Sequence, residues 1–198
     1  ADAFDPGDST VVEIGPGTGA LTRFLVDRNM KPFLIEIDNE SVQYLREKYT
    51  DQQVSLIEGD FLEQGLSGID GSSYAIIGNF PYNISSQIFF KVLENRSSVK
   101  QVTGMIQKEV AQRIASGPGN RVYGILSVLI QAFYNVKILF HVPPGVFNPP
   151  PKVKSGVIRM VPRTQEVNIK SKQYLVQLVK ALWLLSNKVS ILSKGNLL

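Results

Sequence analysis

The residues best suited to chemistry are the run Asn79-Phe80-Pro81-Tyr82. An exocyclic amino group on adenine is a poor nucleophile, because its lone pair is delocalised into the ring. The amide oxygen of Asn79 and a main-chain carbonyl, that of Phe80, can accept both hydrogens of such an amine. That draws the nitrogen toward tetrahedral geometry and aims its lone pair at an electrophilic methyl carbon. The effect is orientation and electrostatics. No strong base is required, since the proton can leave after positive charge has formed on nitrogen. Pro81 stiffens the segment, and Tyr82 offers a face on which an extruded base stacks. Taken alone, the same four residues also read as a turn followed by a core tyrosine.

Three upstream pieces bear on that choice. Glu13-Ile14-Gly15-Pro16-Gly17-Thr18-Gly19 is a glycine-rich turn of the kind that lets backbone approach a ligand closely. It lacks the Lys-Ser/Thr ending of a phosphate-binding loop, which disfavours a triphosphate. Glu36 follows about 20 residues later, where a carboxylate can accept hydrogen bonds from ribose hydroxyls. Gly59-Asp60-Phe61 places an acid where it can accept from an adenine amino group, with Phe61 offering a main-chain amide and an apolar wall. Each piece alone is weak, and a nicotinamide dinucleotide stays open on these three alone. Followed in order by Asn79, they favour a sulfonium methyl donor. The candidate cofactor contacts are Glu13, Gly15, Gly17, Glu36, Ile37, Asp60, Phe61 and Asn79.

Such residues must be carried by strands that end at one edge. Val11–Ile14, Pro32–Ile37, Val54–Glu58, Tyr74–Gly78 and Val99–Gln107 read as short, apolar, β-branched strands. Helices are expected over Thr18–Arg28, Asn39–Tyr49 (capped by Asp38 or Asn39), Ser85–Leu93, Lys108–Ala115 and Tyr123–Phe133. The alternation implies a mostly parallel, doubly wound sheet. Val136–Val142 and Gly156–Val161, joined through a proline-rich loop with no helix between them, suggest an antiparallel edge. Beyond Arg163 a single amphipathic helix is expected over Tyr174–Leu185.

The composition excludes several classes. There is no cysteine, hence no disulfide and no thiolate metal site, and this suits a cytoplasmic location. One histidine, His141, rules against a histidine metal cluster or a Ser-His triad, so no metal is expected. No apolar run reaches the ~18 residues of a membrane span. The start is polar and acidic rather than signal-like, and it lacks an initiator methionine, so a trimmed amino terminus is expected. Residues 1–99 hold 7 Lys/Arg against 15 Asp/Glu, a net of −8, whereas residues 100–198 hold 14 against 2, a net of +12. A basic half of that size suits a polyanionic partner.

With these residues in view, Asn79–Tyr82 resembles the Asn-Leu-Pro-Tyr motif of the KsgA family of small-subunit ribosomal RNA adenine dimethyltransferases. Glu13–Thr22 is similar to that family's first motif. Gln107–Val110, Tyr123-Gly124 and Val146–Val153 resemble it too, and the likeness runs from residue 9 to residue 163. The resemblance implies a Rossmann-like class I methyltransferase sheet and S-adenosylmethionine as cofactor. It also implies transfer of methyl groups to N6 of two adjacent adenosines in small-subunit ribosomal RNA. By matching position, Gly15, Glu36, Asp60 and Asn79 would contact the cofactor, while Asn79 and Tyr82 would hold the target base. Phe147 is a candidate for the second face of that base and equally for a core aromatic. Lys108, Arg113, Arg121, Lys152 and Lys154 would contact RNA phosphates. The family's Gln-His-Phe-Leu-like opening and its Arg-rich carboxyl-terminal run find no match here. The expected division is therefore a methyltransferase domain over 1–163 and an incomplete helical segment over 164–198, in a monomer.

Three rival readings share the core: a macrolide-resistance methyltransferase of large-subunit RNA, a DNA N6-adenine methyltransferase, and a catalytically idle RNA-binding assembly factor. The three prolines of Val146–Val153 lean toward the small-subunit enzymes. No target-recognition domain for DNA is visible, and intact Asn79, Asp60 and Glu36 argue against lost chemistry.

Overall fold

The computed structural model describes residues 4–147 and 150–164, together with position 177. Seven strands form one sheet: β1 (Thr10–Ile14), β2 (Phe33–Glu36), β3 (Ser55–Glu58), β4 (Tyr74–Asn79), β5 (Val99–Gln107), β6 (Tyr134–Val142) and β7 (Ser155–Pro162). Their order across the sheet is β3-β2-β1-β4-β5-β7-β6. The first five are parallel, with Ile14 beside Ile35, Glu36 beside Glu58, and Asn79 beside Met105. The expected antiparallel pair is present, but the reversed strand is not outermost. β7 lies between β5 and β6 and runs against both. The chain leaves β1 outward to β2 and β3, then crosses back to β4. The tips of β1 and β4 therefore flank the point where open α/β sheets form a ligand crevice.

Strand β4 shows why the sheet is a central layer. Tyr74 and Ile76 face one side and Ala75 and Ile77 the other, all four buried. The even positions join Val12, Val102, Ile106, Ile158 and Met160 in the larger core, covered by Ile88, Phe89 and Val92 of α4 (Ser85–Glu94). Ile114 of α5 (Lys108–Ala115) and Leu129 and Ile130 of α6 (Ile125–Phe133) pack into the same core. The odd positions meet Val11, Phe4 and Leu25, the last on α1 (Thr22–Val26). At roughly 25 cal/mol per Å2 of apolar surface, these two-sided contacts hold the strand tips in register.

Helix α2 (Asn39–Lys48) begins at Asp38, whose carboxylate accepts from the Ser41 N–H at 2.8 Å. Two expectations shift. The helix read over Thr18–Arg28 is only Thr22–Val26, because Gly17 and Gly19 take φ of +55° and +74° and turn the chain before it can wind. A short helix not foreseen, α3 (Phe61–Gln64), starts at Asp60, which caps it. His141 lies near the end of β6, in keeping with its apolar neighbours. The helix expected over Tyr174–Leu185 lies outside the described residues.

Candidate active site

Strands β1 to β4 bring the four predicted pieces to one edge of the sheet. After β1 the chain turns through Gly15 (φ +64°) and Gly17 (φ +55°). Nothing lies within 4 Å of where a Cβ would stand on either glycine, so the turn presents open backbone. Gly19 differs: a Cβ there would press on Leu45 and Tyr49 of the α2 region at 3.1 Å. Lys48 Nζ and the Tyr49 hydroxyl donate to the carbonyls of Thr18 and Gly19, which clamps the far end of the turn.

Glu36, 6% exposed, stitches the turn to the tip of β2. Its Oε1 accepts from the N–H groups of Ile37 and Asp38 at 2.9 and 3.0 Å, and its Oε2 accepts from Gly17 at 2.9 Å. A carboxylate oxygen accommodates about two donors, so Oε2 keeps room for one hydroxyl. Ile37 beside it is 64% exposed, an apolar face left open at the crevice. Asp60 uses Oδ1 to cap α3 through the Leu62 N–H at 2.7 Å, which leaves Oδ2 for an outside donor. The Phe61 ring is 4% exposed and belongs to the core, so the apolar wall expected of it is not presented and only its main chain can serve a ligand.

Glu13 is 1% exposed beneath the turn, where Thr22 Oγ1 donates to it at 2.8 Å. Burial pushes its carboxyl up to about 7, against the lowering effect of Thr22 and with a further rise from the nearby Glu36. It therefore shapes the turn from below rather than offering a surface to a ligand.

At the tip of β4, Asn79 is exposed and Phe80 is fully buried. The Phe80 ring lies over two glycines that face each other across the β4–β5 pair, Gly78 and Gly104. A Cβ on Gly78 would stand 2.8 Å from Phe80 Cε1, and one on Gly104 would overlap the opposite ring edge. Phe89 closes the cage edge-on at 6.0 Å, and the Phe80 N–H donates to the Met105 carbonyl at 3.0 Å. Phe80 thus anchors the segment through its ring and its main-chain N–H. A concavity of about 330 Å3 is lined by Asn79, Phe80, Pro81 and Tyr82 together with Phe147 and Pro151. The proline-rich loop brings Phe147 to the same concavity as Tyr82 from 65 residues away in sequence. The Tyr82 hydroxyl lies 2.6 Å from Ser155 Oγ, a fully buried partner that sequence reasoning missed, as it missed Thr22, Gly78 and Gly104. The facing glycines carried the only sequence signal, each interrupting an apolar strand.

The predicted phosphate contacts separate into two groups. Lys108, Lys152 and Lys154 line one groove of about 360 Å3, where the Lys108 N–H donates to the Lys154 carbonyl. Arg113 and Arg121 line another beyond α5. Among the described residues no acidic or histidine cluster could hold a metal. No helix there is long and apolar enough to cross a membrane.

This strand order, with one reversed strand inside the edge and a glycine turn opening the crevice, defines the Rossmann-like methyltransferases. The profile of the family described as ribosomal RNA adenine dimethylase matches residues 6–194, and the chain belongs to that family. It is 54% identical over 183 residues to the ribosomal RNA small subunit methyltransferase A of Bacteroides fragilis, an alignment covering 91% of this chain and 67% of that protein. The alignment with the corresponding Bacteroides thetaiotaomicron protein, at 59% identity, covers 76% of this chain and 57% of that protein, so the chain spans about three fifths of the length of these relatives. Among solved structures, a dimethyladenosine transferase from Plasmodium falciparum superposes with a TM-score of 0.67 at 30% identity, covering 81% of this chain and 58% of the other. The 23S rRNA methyltransferase ErmE superposes with a TM-score of 0.73 at 28% identity, covering 89% and 70%.

Proposed function

We propose that the chain carries the catalytic domain of an S-adenosylmethionine-dependent enzyme that methylates N6 of two adjacent adenosines in small-subunit ribosomal RNA, in the cytoplasm. The observation that carries this reading is the concavity at the tip of β4, lined by Asn79–Tyr82 together with Phe147 and Pro151. Identity of 54% to a small subunit methyltransferase, against 28% to a large-subunit enzyme, favours the small-subunit substrate over the large.

The residues present fit the cofactor. Open backbone at Gly15 and Gly17, one free lone pair on Glu36 Oε2, the exposed Ile37 face and the uncommitted Asp60 Oδ2 suit a ribose and an adenine. When bound, the cofactor supplies an electrophilic methyl carbon on a sulfonium. Asn79 Oδ1 and the Phe80 carbonyl accept the two amino hydrogens of the target adenine and turn its lone pair outward. Tyr82 and Phe147 hold the extruded base from its two sides. Lys108, Arg113, Arg121, Lys152 and Lys154 neutralise the strand's phosphates. Residues 1–163 make up the catalytic domain in this reading.

Radiolabelled methyl transfer to unmethylated small subunits, large subunits and duplex DNA, followed by nuclease mapping, tests the proposal. Label confined to two neighbouring adenosines of the small subunit is expected. Label in large subunits or DNA alone would overturn it.

A further inference from the structure

A groove of about 490 Å3 lies beyond the base pocket, between α4, the end of α5 and the start of α6. Its floor includes Phe90 from α4, and its walls carry Arg113, Arg121 and Tyr123. The two cationic grooves differ in kind. The one formed by Lys108, Lys152 and Lys154 has no aromatic lining and suits a phosphate backbone alone. This one pairs two guanidiniums with an apolar, aromatic interior, the combination that takes a nucleobase and its phosphate together. Neither Arg113 nor Arg121 has an ion-pair partner among the described residues.

The groove is built on a rigid frame. The Arg113 carbonyl accepts from Ser116 Oγ at 3.0 Å and also from Ser127 Oγ of α6. Gln131 Nε2 donates to the carbonyls of Ile114 and Ser116, both at 2.7 Å. The end of α5 is thereby fixed to α6. The groove is also close to the base pocket. Ser85 Oγ donates to the Tyr82 carbonyl at 3.2 Å, and the next residue, Ser86, lines the groove. The two concavities are thus neighbours along the start of α4.

We infer that this groove holds an unpaired nucleotide flanking the target base, with its base against Tyr123 and its phosphate between Arg113 and Arg121. The inference rests on the RNA-methylating reading above. It adds a second base-recognition site, so selection of the target depends on a neighbour as well as on the base being methylated.

The test uses the full chain and a labelled RNA hairpin with two adjacent adenosines in its loop, intact or with an abasic site at each flanking position in turn. Fluorescence anisotropy at fixed salt gives the affinities. One abasic position should weaken wild-type binding roughly five- to hundredfold, the range of one base stacked on an aromatic ring. Tyr123→Ala should weaken the intact hairpin by a similar factor and lose the distinction between intact and abasic RNA. Gly124→Leu provides a second route. Gly124 lines the groove and nothing lies within 4 Å of where its Cβ would stand, so the position admits a side chain, and crowding of the groove by leucine should give the same loss. Calorimetric titration with S-adenosylmethionine should give wild-type affinity for both variants, which shows they are folded. If both variants discriminate abasic RNA as the wild type does, the groove is not a nucleotide site, while methyl transfer by the wild type leaves the RNA reading standing. If the wild type binds no hairpin, both readings fall. Competition by micromolar adenosine 5′-monophosphate would instead assign the groove to a free nucleotide and overturn the inference.

Discussion

Replacing Gly104 by alanine tests whether the fit of Phe80 sets the geometry of the catalytic segment. Gly104 is an ordinary strand residue, so a methyl group there adds no backbone strain, and its whole effect is steric. The new Cβ would stand 2.8 and 2.9 Å from Phe80 Cδ2 and Cζ, with a still closer approach to Cε2. Carbon atoms rest at about 3.5 Å or more, so the ring must retreat by more than about 0.7 Å. It has little room. Gly78 holds its other edge, Phe89 closes the cage, and Phe80 is fully buried. Overpacking of this kind costs about 1–3 kcal/mol, readable as an earlier urea midpoint. The displacement is passed to Asn79 and to the Phe80 carbonyl, the two acceptors that orient the amine in the proposed mechanism. A misplacement of about 1 Å can cost roughly a hundredfold in rate, so turnover should fall about ten- to hundredfold while cofactor affinity changes little. Phe80→Leu in the Gly104→Ala background should recover part of the stability, giving a double-mutant coupling of opposite sign to overpacking. A Gly104→Ala protein with the wild-type urea midpoint and turnover would refute the reasoning.

Asn79→Ala should abolish methyl transfer while shifting the unfolding free energy by no more than about 0.5 kcal/mol, because the side chain is exposed; turnover near wild type would remove Asn79 from the mechanism. Tyr82→Phe keeps the ring but leaves the buried Ser155 hydroxyl without its partner, at a cost of about 1–2 kcal/mol in stability. Tyr82→Ala should lose far more kcat/KM than Tyr82→Phe, and equal losses would argue against stacking. Glu13 has a folded-state pKa of about 7, raised from 4.5, so the native state holds its proton more tightly than the unfolded chain. Stability should therefore decline as pH rises from about 4.5 to 7 and stay lower above that. Glu13→Gln should raise the melting temperature at pH 8 but hardly at pH 5, with a ceiling of about 3 kcal/mol; equal effects at both pH values would contradict the buried-acid account. RNA affinity should fall steeply with salt: five phosphate contacts on a single strand give a slope of about −3.5 in log Kd-derived affinity against log salt, and a flat response would detach the basic half from binding.

The sequence by itself determined the order of the seven strands and of every α-helix but α3, together with the identity of the four crevice motifs. Strands such as Tyr74–Asn79 carry their signal locally, in apolar β-branched residues, and Gly15, Glu36, Asp60 and Asn79 follow those strands at short range. Their convergence follows from parallel topology, which puts successive strand tips at one edge. Local signals could not place β7 inside β6, because neighbour choice within a sheet depends on cross-strand packing between residues far apart in sequence. Nor could they show that the proline-rich loop folds back to set Phe147 at one concavity with Tyr82. The tertiary structure alone decided that Phe61 turns into the core and that Asp60 spends one oxygen on a helix cap. It also decided that Glu36 is largely taken up by backbone N–H groups and that Phe80 sits over Gly78 and Gly104. Each of these depends on which atoms a side chain meets across the fold, and a residue's type and spacing do not fix that.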